Sequence, residues 1–156
     1  FGVISGPWQF GKQDQGFVSL WVWRHLNKKK LSYTGFGGKG SQIRDVIHIE
    51  DVCKLVTLQV KKIQNIFNLT VNVGGGKQNE ISLKSLTKIC QNITQNKLTI
   101  GSKKNTSEYD IPYYVTDNTK VKKIYKWNNK KKILHIVQDM YKWMVLNKEK
   151  LKKYIK

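Results

Sequence analysis

Short runs rich in β-branched and aromatic residues alternate along this chain with stretches whose apolar residues recur at helical spacing, and that alternation limits the fold more than any other feature. Residues 1–5 form an apolar run stopped by Gly6-Pro7, which predicts a buried strand and its exit turn. Residues 8–15 read as a polar loop. The segment FVSLWVWRHL at 17–26 is apolar enough for a buried helix and runs into lysines 28–30, which suit a helix C-terminus. A strand at 31–34 follows, then the glycine-rich turn GFGGKG and a strand over 44–49. Asp51 is placed to cap a helix through Val60, with Val52, Leu55, Val56 and Leu58 or Gln59 along its face. Residues 67–73 read as a strand closed by Gly74-Gly75-Gly76, and Ser82 as the cap of a helix carrying Leu83, Leu86, Ile89 and Ile93.

The remaining elements are a strand at 97–100, an extended stretch at 110–116 broken by Pro112, and helices at 119–125 and 133–146. The last of these turns Ile136, Val137, Met140 and Trp143 or Met144 inward. The tail to Lys156 reads as a frayed helical continuation. Strands alternating with helices predict an α/β fold, a mostly parallel sheet covered by helices, built on one core. Since the chain opens on Phe1 with a strand already under way, it is expected to be the C-terminal part of something longer. In that case apolar faces such as FVSLWVW would be left partly exposed.

Charge is the next constraint. A net charge of +19 would ordinarily suggest a nucleic-acid binder. The basic residues are instead scattered through helices and turns, and arginine, the preferred fork for bases and phosphates, is nearly absent. Lysine accounts for almost all of the 29 basic residues, and only Arg24 and Arg44 depart from it. A lysine-rich nucleic-acid-binding module is therefore the minor alternative. No apolar run reaches membrane-spanning length, and the expectation is a cytoplasmic protein with no membrane partner. Cys53 and Cys90 fall at apolar helix positions and read as buried thiols, and the sequons at Asn68, Asn92 and Asn105 as chance.

Few residues offer chemistry. Val73-Gly74-Gly75-Gly76-Lys77 matches neither nucleotide fingerprint, so its glycines are expected to serve a turn with positive φ. His25, His48 and His135 lack a cysteine or carboxylate at ligand spacing, so no metal site is expected and His48 reads as a hydrogen-bonded core residue. No nucleophile motif is visible, and no catalytic residue is assigned. Trp8 lies on a loop where it could stack on a ligand. Arg44, delivered by the glycine turn to the start of a strand, is the credible anion site. Two readings stay open: a phosphate clamp, or an ion pair with Asp45 or Asp51.

The ordered series SGPWQFGKQDQG, LSYTGFGGKGSQIRDVIHIEDV, FNLTVNVGGG and DIPYYVTDNTKV…YKW resembles the C-terminal half of the extended short-chain dehydrogenase/reductases, among them the nucleotide-sugar epimerases and dehydratases. The likeness covers essentially the whole chain. Its first two loops are most similar to epimerases acting at C2 of a CDP-linked sugar. The resemblance implies that residues 1–156 are the substrate-binding portion of an extended Rossmann-type enzyme whose N-terminal part holds NAD and the catalytic YxxxK pair. It implies bound NAD oxidising the hexose at C4, loss and return of the acidified C2 proton, and re-reduction, with NAD regenerated.

Residue by residue, the resemblance gives Arg44 the pyrophosphate and Asp110 the nucleotide ribose. Gln9, Gln15, Gly16 and Phe17 would close over the nucleotide. Phe1 would pass the nicotinamide and Val3 the sugar, although many relatives carry tyrosine and asparagine there. Where the family's RxGD-type motif has arginine, this chain has Ser107, so Lys103 or Lys104 would substitute. A 4-epimerase or 4,6-dehydratase is the alternative within the family. A homo-oligomer is expected for the full-length protein.

Overall fold

The computed structural model describes residues 1–11, 16–66 and 68–155. Its centre is strand β3 (Ile43–His48). Strand β1 (Val3–Ser5) pairs parallel with its C-terminal half, from Val3 opposite Val46 to Ser5 opposite His48. Strand β4 (Glu80–Ser82) pairs antiparallel with its N-terminal half, and β6 (Tyr113–Tyr114) pairs parallel with Ile43 and Arg44. A separate two-stranded parallel sheet joins β2 (Leu31–Thr34) to β5 (Ile100–Lys103). The fold is α/β with parallel sheets, and the one antiparallel pair among the described strands is β3–β4.

Alternation along β3 builds two cores, because successive side chains of a strand leave opposite faces. Val46 joins the larger cluster, formed with α1 (Phe17–Leu26), α3 (Leu83–Thr94) and α5 (Ile133–Leu146). Ile47 joins the smaller, formed with Val52 and Leu55 of α2 (Ile49–Lys61), Val121 and Tyr125 of α4 (Thr119–Tyr125), and Trp127. Helix α1 is apolar around its circumference and is accordingly buried, with Val18, Val22 and Trp23 all at 0% exposure. The expected exposure of FVSLWVW is thus corrected: α3 and α5 of this same chain cover it.

Other expectations also change. Helix α2 begins at Ile49 because the His48 imidazole already caps it, its Nδ1 accepting from the Glu50 amide at 3.0 Å. Asp51 is therefore not the cap. It is buried within the first turn of the helix, and its Oδ2 accepts from the amides of Lys130 and Lys131, both at 2.9 Å, which pins the connection between α4 and α5. Val56 is exposed and not on the inward face.

Residues 68–73 form no strand, since no neighbouring strand pairs with them; Phe67 lies outside the described residues. The strand expected at 97–100 is displaced to Ile100–Lys103, where register with β2 and not local β-propensity places it. The tail does not fray. A short helix α6 (Lys148–Leu151) and the following turn bury Leu151 and Ile155 in the larger core. Cys53 is exposed, while Cys90 is buried and its thiol is pushed up by that burial.

Candidate functional site

A cavity of about 580 Å³ opens between one face of α1, the β2–β5 sheet and the start of β3. Phe17, Leu20, Trp21 and Arg24 reach it from α1, a spacing that stacks them on one side of a helix. Trp21 is fixed there by its indole N–H, which donates to Thr87 Oγ1 at 2.9 Å, and by stacking on Tyr33. Tyr33 donates to the same Thr87 oxygen, so the wall facing the cavity is held from behind. Ser32, Thr34, Gly35 and Gln42 continue the lining, and Lys30 and Lys103 add cations.

Arg44 also lines this cavity. Its backbone is flanked by Ile81 on one strand and Tyr114 on another, which gives the guanidinium a rigid base. One terminal nitrogen donates to the Ile43 carbonyl at 2.8 Å and the other to Asp110 Oδ1. Asp110 accepts in addition from the Ile111 amide, and its own N–H donates to the Ser107 carbonyl. Neither Asp45 nor Asp51 is the partner of Arg44. Asp45 is buried and accepts from the Gly76 amide at 2.8 Å, and Asp51 holds the α4–α5 connection. The ion pair is with Asp110, sixty-six residues away, which local reading does not reach.

Of the other residues singled out in the sequence, Phe17 and Asp110 line the cavity with Arg44, as do Ser107 and Lys103. Gly16 stands immediately before α1 with φ 76°, and its carbonyl accepts from the Leu20 amide. Gln9 turns away from the cavity: its amide nitrogen donates to the Ile4 carbonyl and its oxygen accepts from Ser5 Oγ. Val3 lies in β1 beside Val46, and Phe1 is 68% exposed; neither borders the cavity. Gln15 lies outside the described residues. Trp8 packs its ring 5.6 Å from Trp143 while remaining largely exposed. Arg24, Lys30 and Gln42 escaped the sequence reading. The helical spacing from Phe17 to Arg24 and the rarity of arginine were the available signals.

The turn at 74–76 does not fit a dinucleotide pyrophosphate. The Gly74 amide donates to Asn118 Oδ1 and that of Gly76 to Asp45, so these N–H groups are spent inside the fold. Only Gly76 of the three has positive φ. Gly74 and Gly75 are required by close approach instead, a Cβ on Gly75 falling 2.2 Å from the Val46 carbonyl oxygen.

A second charged cluster lies elsewhere. The fold brings His48, Glu50 and Asp139 close enough to share a cation, contrary to the expectation that no carboxylate meets His48. The ammonium of Lys131 fills that role, 2.8 Å from Asp139 and 3.6 Å from Glu50. Burial holds His48 below the ordinary imidazole value. Burial is the largest influence on Asp139 and works to raise it, but the hydrogen bond with Lys131 together with the charges of Lys131, His48 and Lys142 holds it below the usual carboxylate range.

Comparison with known proteins bears on this arrangement. Residues 2–74 match the model of the NAD dependent epimerase/dehydratase family. The chain is 29% identical over 142 residues to CDP-paratose 2-epimerase of Salmonella typhi, covering 90% of this chain and 42% of that protein. The fold matches a UDP-glucose 4-epimerase from Thermotoga maritima, solved with UDP-glucose (TM-score 0.78, 20% identity, 94% of this chain and 44% of that one). It also matches an epimerase from Methanothermobacter thermautotrophicus (TM-score 0.85, 17% identity, 99% and 44%). A third match is a UDP-glucuronic acid 4-epimerase from Bacillus cereus, in complex with UDP-glucuronic acid and NAD (TM-score 0.76, 20% identity, 93% and 43%). The chain thus spans less than half the length of these relatives. Residues 2–74 thus resemble the NAD dependent epimerase/dehydratase family, and a likeness of fold to solved epimerases runs through nearly all the remaining residues.

Proposed function

We propose that the cavity beside Arg44 binds the nucleotide diphosphate of a nucleotide sugar, and that this chain is the substrate-binding portion of an NAD-dependent nucleotide-sugar epimerase. The observation that carries the reading is the surplus of cations in one small-molecule-sized cavity: Arg24, Lys30, Arg44 and Lys103 against the single carboxylate Asp110. Arg44 has a planar fork on a rigid strand, the geometry suited to phosphate oxygens. Asp110 orients that fork by ion pairing from the side and keeps a second carboxylate oxygen for a sugar hydroxyl. Phe17, Leu20 and Trp21 supply an apolar wall for the base or ribose.

Among nucleotide sugars, a CDP-linked one and the CDP-paratose 2-epimerase reaction are the specific reading. The likeness to the Salmonella typhi enzyme over 90% of the chain supports it. The folds of the UDP-sugar 4-epimerases and of a dTDP-glucose 4,6-dehydratase from Bacillus anthracis keep those reactions as the second reading. In the first reading NAD and the catalytic groups are supplied by sequence outside these 156 residues, and the chain alone shows no turnover.

Calorimetric titration with CDP-hexose tests the site. Loss of one charge-assisted fork is expected to weaken binding on the order of tenfold to a hundredfold in Arg44→Ala. Unchanged binding in that variant removes Arg44 from the site. Affinity that collapses with added salt, together with preference for oligonucleotides, would favour the basic-module alternative. Product analysis with CDP- and UDP-sugars separates the two epimerase readings.

A further inference from the structure

Arginine is so scarce in this chain that its distribution is informative, and both arginines line the same cavity. They arrive there independently, Arg44 from the start of β3 and Arg24 from the last turn of α1. Arg44 has already committed one terminal nitrogen to the Ile43 carbonyl and the other to Asp110. The donors it has left form a single fork, sufficient for one phosphate. Arg24 has no ion-pair partner among the described residues, and its Nε is shielded from water without a hydrogen-bond acceptor. A shielded guanidinium N–H with nothing to donate to is costly, unless a ligand supplies the acceptor.

Resting on the proposed nucleotide-sugar reading, we infer that Arg24 is the second phosphate fork of the cavity. In this assignment Arg44 takes one phosphate of the diphosphate and Arg24 the other. The face of α1 makes Arg24 well suited to the task. Trp21, three residues earlier on that face, is locked by Thr87 and Tyr33, and the main-chain carbonyl of Arg24 accepts from the Lys29 amide at 2.8 Å. The guanidinium therefore stands on a helix end that is itself held in place. Lys30 and Lys103 contribute point charge to the same ligand without a directed fork.

The experiment compares CDP with CMP, which differ by one phosphate, using isothermal titration of the wild-type protein, Arg24→Ala and Arg24→Lys. Arg24→Ala is expected to weaken CDP tenfold or more while CMP stays within about threefold, because a charge-assisted pair is lost at one phosphate only. Arg24→Lys should lie between, keeping the charge and losing the fork. An unchanged CDP affinity overturns the inference, and so does an equal loss for CDP and CMP. If Arg24→Ala fails to fold, Arg24→Lys decides: a lowered ratio of CDP to CMP affinity supports the assignment and an unchanged ratio refutes it. A wild-type protein that binds neither nucleotide fails the nucleotide-sugar reading itself, an outcome distinct from intact wild-type binding that ignores Arg24.

Discussion

At residues 35–40 and 74–76 the chain places glycines in two turns that look alike in sequence and differ in physical purpose. The first turn has four glycines with positive φ, and Gly35 borders the cavity where Arg44 and Arg24 meet. The second is sealed. The Gly74 and Gly76 amides donate to Asn118 and Asp45, Asn129 donates to the Gly75 carbonyl, and β3 and Thr116 leave no room for a Cβ at Gly74 or Gly75. Gly35 and Gly37 set backbone direction at the edge of a site with room around them, whereas Gly75 lets its backbone lie against that of Val46 and Gly74 makes room for the side chains of Thr116 and Asp45. A glycine cluster is therefore not evidence of a phosphate loop until its N–H groups are accounted for.

Substitutions can break this contrast. The largest effect is expected for Gly75→Ala, whose methyl would meet backbone atoms of Val46 that cannot yield. A loss of about 3 kcal/mol or more in urea unfolding is predicted, at the upper end for overpacking. Gly37→Ala should cost about 1–2 kcal/mol, because space is open at Gly37 and only its φ of 72° is unfavourable for a side chain. If the two variants were equally unstable, the distinction between close approach and chain direction would fail.

Arg44→Ala sharpens the contrast from the functional side. Its ion pair with Asp110 is partly solvent-exposed, so stability should fall by about 1 kcal/mol or less while nucleotide binding weakens on the order of tenfold to a hundredfold. A larger loss of stability in thermal melts would make the pair structural.

The smallest predicted effect is a pH dependence carried by two buried histidines, His25 of α1 and His48 at the end of β3. Burial disfavours the charged forms of His25 and His48 and holds both below the ordinary value of 6.5, against the opposing pull of the Trp21 carbonyl on His25. At His48, Glu50, Asp139 and Asp51 also oppose burial, while Lys131 reinforces it. The unfolded chain then binds more protons than the folded one as pH falls below about 6.5, and stability declines in that direction. The stabilising contribution is present above 6.5 and is lost on descent toward the folded values. Urea midpoints at pH 7.5, 6.5 and 5.5 measure it, and a rise in stability below pH 6.5 would contradict the buried neutral state.

Much of the fold was legible locally. The bounds of α1, α4 and α5 follow from apolar spacing, and Ser82 caps α3 as its sequence suggests, accepting from the Ser85 amide at 3.1 Å. Errors arose where partners distant in sequence decided the outcome. His48 displaced Asp51 as the cap of α2, β2 set the position of β5, and the core held the tail through Leu151 and Ile155. Of the candidate site, Arg44 stood out because arginine is rare and Asp110 was named through the family resemblance, and the fold brings the two together as an ion pair. That Gln9 turns from the cavity was not legible, because its hydrogen bonds to Ser5 and Ile4 are made only when the loop folds back on β1.

The sequence by itself determined the α/β alternation, the all-round apolar character of α1 and the singling out of two arginines among lysines. Those are properties of composition and of spacing within a few turns. Tertiary structure decided that Asp110 pairs with Arg44, that Arg24 shares their cavity, and that the triple glycine is sealed. These contacts join segments tens of residues apart, and nothing in local propensity specifies them before the cores on the two faces of β3 close.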